Sequence, residues 1–314
     1  MNLVHRIFLA ALLLVSTPLA AQTIALVADL NGRYGSTEYH ARVGKAMETI
    51  IGMHPDLVVS AGDMVAGQKQ PALDSLKLDS MWDAFNRIAA DPVRAAGIPF
   101  AVTPGNHDGS GFSDFALERE HFEKQWITRQ DALEFLPGSE WPWRYATRLG
   151  STLLVSFDGT IPGRLAKTEI GFISAMLERD RDDAEAVIVV SHLPMWPISR
   201  GREREILDDP DLLDLLHRHH VTVYVSGHHH AFYAGRDNAG MIHLAVGALG
   251  GNARAYSVSG EQNPHSFALI KITGKDVRIE ALAAPGFTAS LKLQNLPASV
   301  VGELGKLTRF DQQP

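Results

Sequence analysis

A chain of 314 residues with 45% apolar and 21% charged side chains has the composition of a globular protein, long enough for one large domain or two small ones. It has no cysteine, which excludes disulfide scaffolds, thiolate nucleophiles, thiolate zinc sites and iron–sulfur clusters, so a metal must be held by His, Asp, Glu, Asn or water. A net charge of −7 offers no basic face to duplex nucleic acid, although bound cations can still hold a small anion.

The chain opens like a secretory leader over residues 1–21. His5 and Arg6 form a short cationic start, Ile7 to Val15 is apolar, and Ser16-Thr17-Pro18 precedes Leu19-Ala20-Ala21. Cleavage is expected after Ala20 or Ala21, which predicts a periplasmic or secreted protein without stable membrane association. The apolar run is short for a spanning helix. Neither Leu19 nor Pro18 is the small residue preferred three positions before a cut, so an uncleaved anchor is the other reading.

Beyond the leader, five apolar, β-rich runs each stop at a polar residue able to bind a metal. Thr23 to Ala28 precedes Asp29, and Leu57 to Gly62 precedes Asp63. Pro99 to Gly105 precedes Asn106, Ala186 to Ser191 precedes His192, and Val221 to Gly227 precedes His228. Continuous apolar runs suit strands buried on both faces, and ligands collect past the carboxyl ends of such strands in layered α/β folds. Helices are predicted over Glu38 to Met53, Leu78 to Ala90, Glu169 to Arg179 and Asp211 to His219. A further strand, Thr152 to Phe157, leads into Asp158, and Phe267 to Ala281 reads as a hairpin turning at Thr273-Gly274-Lys275-Asp276. One catalytic domain is therefore expected over 22–285, followed by a tail over 286–314. An insertion at about 109–145 carries His121, Trp126, Trp141, Trp143 and Arg144, and by its position it would overhang the site.

Asp29, Asp63, Asn106, His192, His228 and His230 together offer two carboxylates, an amide oxygen and three imidazoles, enough for two divalent ions sharing a carboxylate. Each block alone reads as an ordinary turn, or for the histidine run as a solvated loop; their joint occurrence at five strand ends does not. In this order, Asp29-Leu30-Asn31, Gly62-Asp63-Met64-Val65-Ala66, Gly105-Asn106-His107-Asp108, His192 and Gly227-His228-His229-His230 resemble the calcineurin-like metallophosphoesterase family, which includes the purple acid phosphatases. The resemblance implies an α/β fold, a four-layer α/β/β/α sandwich of two mixed β-sheets flanked by helices. It also implies that Asp63 bridges two metal ions, with Asp29 and His230 on the first and Asn106, His192 and His228 on the second. A bridging water of lowered pKa would attack phosphorus, and His107, held by Asp108, would assist the leaving group. Gly62, Gly105 and Gly227 would let the backbone turn sharply at each ligand. His229 is expected to pack or line the cleft.

Two positions depart from the family pattern. The first block ends in Asn31 where His is usual, and the second ends in Ala66 where Asp or Tyr is usual. Asn31 can coordinate through its amide oxygen, or water or Tyr34 can fill the gap. Loss of the imidazole favours Mn, Fe or Mg over Zn at a labile first site, and Ala66 cannot supply the tyrosinate that colours the purple enzymes. The expected cofactors are two divalent metal ions, Mn, Fe or Zn. The expected activity is exported phosphomonoester or phosphodiester hydrolysis of a small phosphorylated substrate. The alternative is a catalytically silent metal- or ligand-binding protein of the same fold. Arg33, Arg144, Arg200, Arg202 and Arg204 could meet a second acidic group, but Arg200 to Glu205 alternates charge and reads as a solvated loop. The tryptophans read as buried anchors, and His217, His219 and His220 as a helix end remote from the site.

Overall fold

The computed structural model describes residues 21–130 and 132–312, so the expected leader, apart from Ala21, lies outside the described residues. No helix among the described residues is long and apolar enough to cross a membrane. The first part of the chain forms β1 (Gln22–Val27), α1 (Ala41–Met53), β2 (Leu57–Ser60), α2 (Ser75–Phe85), α3 (Asp91–Ala95) and β3 (Phe100–Val102), with one π-helical turn joining α2 to α3. Then come α4 (Ala116–Trp126), β4 (Tyr145–Leu149), β5 (Thr152–Ser156), α5 (Lys167–Asp180), β6 (Ala186–Val190), α6 (Pro210–Arg218), β7 (Val223–Ser226), β8 (Tyr233–Arg236) and β9 (Ile242–Ala245). The chain finishes with β10 (Ser266–Thr273), β11 (Asp276–Ala283), β12 (Ala289–Ser290), β13 (Ser299–Gly302) and β14 (Gly305–Arg309).

Local chemistry explains the helices. Val43, Ala46, Met47 and Ile50 place one buried stripe along α1, which starts at the His40 cap and ends where His54 turns left-handed at φ 49°. Asp209 caps α6 by accepting the Asp211 and Leu212 N–H groups, Pro210 occupies the first turn, and Leu212, Leu213, Leu215 and Leu216 bury its inner side. Strands β2, β3, β5, β6 and β7 are buried along their whole length, as their unbroken apolar runs require.

The strands form two mixed sheets flanked by helices. One has the order β12-β11-β10-β1-β2-β3 and the other β13-β14-β8-β9-β7-β6-β5-β4. In the first sheet β1, β2 and β3 are parallel, and in the second β5, β6, β7 and β9 are parallel. Helical crossovers join these parallel strands, except β7 and β9, which are linked through β8, and their carboxyl ends gather on one side of each sheet. The sheets meet there, where Ala28 bridges Ala248 and the Thr103 and Ser156 hydroxyls share a 2.8 Å hydrogen bond.

The hairpin forms as read, with Thr273 paired to Asp276 across its turn. The segment after residue 285 differs from a simple tail. β12 extends the first sheet against β11, and the β13–β14 hairpin extends the second against β8, with Thr308 opposite Arg236. The insertion is anchored in the core. Trp126 is fully buried and stacks on Phe100 at 5.8 Å, Trp141 donates its indole N–H to the Trp126 carbonyl (2.7 Å), and α4 packs on α2.

Candidate metal centre

Every strand-end block converges where the two sheets meet. Asp29, Asp63 and Asn106 arrive from the first sheet, and His192, His228 and His230 from the second; all six are buried or nearly so. Asp63 belongs to two donor groups, one with Asp29 and His230 and one with His192 and His228, and within each group the facing atoms lie within 4.8 Å of one another.

The turns that deliver these side chains are strained. Asp29, Asp63, His228 and His230 adopt φ of 52°, 58°, 63° and 52°, a region that non-glycine residues occupy only when the surroundings dictate it. Of the three glycines expected to absorb the turning, Gly62 alone has a positive φ (95°); the ligands themselves take the left-handed positions. Gly62 is also needed for space, because a Cβ there would sit 2.5 Å from His192 Nδ1 and 2.7 Å from the Gly105 Cα. At Gly105 a Cβ would collide with the backbone N and carboxylate of Asp63.

The donors are tied on their outer atoms; on the inner side Asp29 Oδ1, Asp63 Oδ2 and His228 Nδ1 are unpartnered, while Asn106 Oδ1 and His192 Nε2 face each other. Asp29 Oδ2 accepts the His228 N–H (3.0 Å) and Asp63 Oδ1 accepts the His107 N–H (2.8 Å), while Asp29 Oδ1 and Asp63 Oδ2 have no hydrogen-bond partner. His192 Nδ1 donates to the Ala61 carbonyl (2.7 Å) and His230 Nδ1 pairs with the Asn252 carbonyl (2.8 Å). Asn106 gives its amide N–H to Gln68 Oε1 (2.7 Å), which turns Oδ1 inward, 2.9 Å from His192 Nε2. His228 Nε2 meets Glu205 Oε2 (2.9 Å), and its buried Nδ1 is unpartnered. His230 Nε2 lies 3.2 Å from Asp29 Oδ1, and His192 Nε2 lies 3.3 Å from Asp63 Oδ2, but neither approach has hydrogen-bond geometry. Lone pairs aimed at a common centre repel unless a cation lies among them, and partners on the outer atoms are how proteins orient metal ligands. Two buried carboxylates, one amide oxygen and three imidazoles therefore fit hard or borderline divalent ions.

Electrostatics points the same way. Burial alone would raise the Asp63 carboxyl, but the His192 and His107 imidazoles hold it well below the usual carboxylate range. Burial alone would lower the His192 ring, and the Asp63 and Asp29 carboxylates raise it to about 9. A divalent cation among these carboxylates supplies the charge that this proton otherwise brings. Burial, reinforced by His192 and Arg202, keeps His228 well below the ordinary imidazole value and therefore neutral.

Two sequence expectations change here. His107 is not held by Asp108: its Nδ1 pairs with the Gly67 carbonyl (3.0 Å), leaving Nε2 facing Asp63 Oδ2 at 3.8 Å. Asp108 instead accepts the Met64 and Gly105 N–H groups (2.6 and 2.5 Å), and burial with the Asp63 charge pushes it up to about 8. It is the clamp between two ligand loops. The loop over Arg200 to Glu205 is solvated at Arg200, Gly201, Glu203 and Arg204, but the Arg202 side chain departs from it, being 13% exposed and meeting Glu205 and His228.

The remaining expected residues fall as follows. Tyr34 leans on the His107 ring, with centroids 5.0 Å apart, and Asn31 is buried, donating its N–H to the Asp63 carbonyl (3.2 Å). Arg144 is consumed by Glu140 and Glu169. His229 is fully buried, accepting the Ile198 and Ser199 N–H groups at Nδ1 and facing the Glu205 carbonyl from Nε2 (3.1 Å); burial lowers it to about 3. His217 pairs with Asp237, which is shared with His243. The sequence reading missed Gln68, Ser110 and Glu118. Gln68 sits at φ 58°, donates its side-chain N–H to Ser110 Oγ (3.0 Å) and its backbone N–H to Glu118 (2.8 Å). Burial raises Glu118 to about 7. No pattern in the sequence links these residues, and only the kink at Gly67-Gln68 hints at them.

The sequence profile described as calcineurin-like phosphoesterase matches residues 22–232. Over 228 residues the chain is 25% identical to the tartrate-resistant acid phosphatase type 5 of Sus scrofa, covering 65% of this chain and 66% of that one. In fold it is similar to a purple acid phosphatase from yellow lupin (Lupinus luteus) seeds, with a TM-score of 0.62 at 19% identity, covering 84% of this chain and 52% of that one. A dimetal phosphatase of Danio rerio matches with a TM-score of 0.60 at 16% identity, covering 88% and 98% of the two chains. GAP50, the anchor in the inner membrane complex of Plasmodium, shares the fold with a TM-score of 0.60 at 15% identity, covering 87% and 88%. The chain thus spans just under two thirds of the pig protein and about half of the lupin protein.

Proposed function

Because the chain belongs to the calcineurin-like phosphoesterase family, we propose that it is an exported, metal-dependent phosphohydrolase acting on phosphomonoesters or phosphodiesters of small molecules. The observation that carries this reading is the pair of donor groups sharing Asp63, with their outer atoms tied and Asp29 Oδ1, Asp63 Oδ2 and His228 Nδ1 unpartnered. Asp29, Asp63 and His230 would hold one ion, with Asn31 beside them, and Asp63, Asn106, His192 and His228 the other. When bound, two divalent ions supply Lewis-acid polarisation of a phosphoryl group and acidify water.

The chain's own residues supply the rest. Asp63, ionised by its imidazole neighbours, places negative charge between the donor groups. His107, fixed by donating Nδ1–H to the Gly67 carbonyl, presents Nε2 toward the same space, from which its imidazolium form would hand the Nε2 proton to a departing alkoxide or aryloxide, leaving the neutral Nδ1–H ring. Asp108 keeps the Gly105 and Met64 turns together, so that Asn106 and Asp63 stay in register. The first donor group is one imidazole short of the family pattern at Asn31, which supports a more labile ion there. Export rests on the leader-like residues 1–21, and N-terminal sequencing of secreted protein checks it.

The test is hydrolysis of aryl monoester, aryl diester and nucleotide substrates across Mn, Fe, Zn, Mg and Ni, in wild type and His107→Ala. Turnover that falls about 10²–10⁴-fold in the variant, with metal content unchanged, supports the assignment. Absence of turnover with every metal, in protein carrying two ions, would leave the binding-only alternative.

A further inference from the structure

We propose that Glu205 is the positioning residue that fixes which nitrogen of His228 carries the proton, and that Arg202 is the competing donor Glu205 holds off. The proposal deepens the metal-centre reading and rests on it for its functional consequence, although the proton placement stands on geometry alone. His228 Nε2 lies 2.9 Å from Glu205 Oε2 and 3.1 Å from Arg202 Nη1. The guanidinium and the carboxylate also pair with each other through the same two atoms.

A neutral imidazole has one proton, and the two neighbours make opposite demands on it. The carboxylate only accepts, so it requires Nε2–H and leaves Nδ1 as a bare lone pair. The guanidinium only donates, so acting alone it would require a lone pair on Nε2 and drive the proton to Nδ1. His228 is grouped with Asp63 and His192, and with Nε2 held by Glu205 and Arg202 its buried, unpartnered Nδ1 is the nitrogen left for a metal ion, so a proton there would block it. Among the described residues the Arg202 side chain has two partners, Glu205 and His228, and its Nε is buried without one. Removing Glu205 would therefore leave His228 Nε2 as the remaining acceptor for a largely buried cation, and the cost of leaving such a donor unmet would push the tautomer the wrong way.

The loop is held at its backbone beside His228, with the Glu205 side chain 42% exposed. The Glu205 carbonyl faces His229 Nε2 at 3.1 Å, and His229 Nδ1 accepts the Ile198 and Ser199 N–H groups at 3.2 and 3.3 Å. The middle histidine of the run thus anchors the loop whose carboxylate orients the first.

The experiment uses the full chain, ¹⁵N-labelled and dialysed against chelator, with histidine ring tautomers read by long-range ¹H–¹⁵N correlation and His228 assigned by His228→Gln. Wild type and Glu205→Gln, whose amide oxygen still accepts, should show Nε2–H. Glu205→Ala should shift His228 to Nδ1–H, and Arg202→Ala/Glu205→Ala should move it back toward Nε2–H. Titration with Mn and with Zn by calorimetry should show one of two ions weakened about 10–100-fold in Glu205→Ala, near-normal binding in Glu205→Gln, and partial recovery in the double variant. Nε2–H retained in folded Glu205→Ala, or a double variant no better than the single, overturns the proposal. Should wild type bind fewer than two ions while the tautomers follow Glu205 as stated, the metal-centre reading fails and the positioning role stands.

Discussion

The two donor groups that share Asp63 are backed in different ways. Asp29, Asp63 and His230 are tied on their outer atoms by main chain alone: the His228 N–H, the His107 N–H and the Asn252 carbonyl. The other group keeps one main-chain tie, from His192 to Ala61, but Asn106 depends on the Gln68 side chain and His228 on the Glu205 side chain. Main-chain backing comes with the turn and survives most substitutions around it. Side-chain backing depends on single residues elsewhere and can be altered one at a time. The first group is therefore robust in orientation although short of a ligand at Asn31, and the second is complete in ligands but adjustable from outside.

The largest test of this contrast removes what the groups share. Asp63→Ala should abolish binding of both ions and lower kcat/KM by about 10³-fold or more, checked by metal analysis beside steady-state kinetics. Retention of either ion at wild-type affinity would break the shared-carboxylate geometry. Next, Gly62→Ala should destabilise the fold by about 3 kcal/mol, because its φ of 95° and the His192 ring leave no room for a methyl group. Its denaturation midpoint should fall accordingly, and chelator should not change the difference.

A smaller effect separates the groups. Gln68→Ala frees the Asn106 amide to flip, so one ion should weaken about 10–100-fold while the other keeps its affinity. Equal weakening of both would show that the two groups are not independently backed. The smallest effect lies outside both. Burial raises the Asp237 carboxyl, but hydrogen bonds from His243 and His217 outweigh it and hold the group below its ordinary value. A depressed carboxyl contributes stability that is present above its unfolded pKa and is lost as pH falls through the folded value. Wild type should thus exceed Asp237→Asn in stability near neutral pH, with the gap closing below pH ~4 and metal affinity unchanged throughout.

Much of the fold could be read from the chain because buried parallel strands leave an unmistakable trace. Runs such as Ala186 to Val190 have no polar face, and the donor after each run marks the carboxyl end of its strand. The strands toward the sheet ends were harder: β4, β8 and β12 to β14 are short or only partly buried, with no strong period, and they pair because a neighbouring strand presents a free side. The insertion carried tryptophans that read correctly as anchors, but nothing in its order showed that Glu118 would reach back to Gln68.

The sequence by itself determined the donors, their order and their place at strand ends, because chemistry that needs carboxylates and imidazoles must spell them in the chain. Only the tertiary structure decided which atom of each donor faces inward. Asp108 clamps two loops instead of serving His107, His229 packs and anchors a loop, and Arg202 turns in from an exposed loop to meet Glu205 and His228. Apart from the local Gly105–Asp108 contact, those assignments are hydrogen bonds between residues 23 to 44 positions apart, fixed by how the two sheets and their loops pack, and no local pattern encodes a partner at that distance.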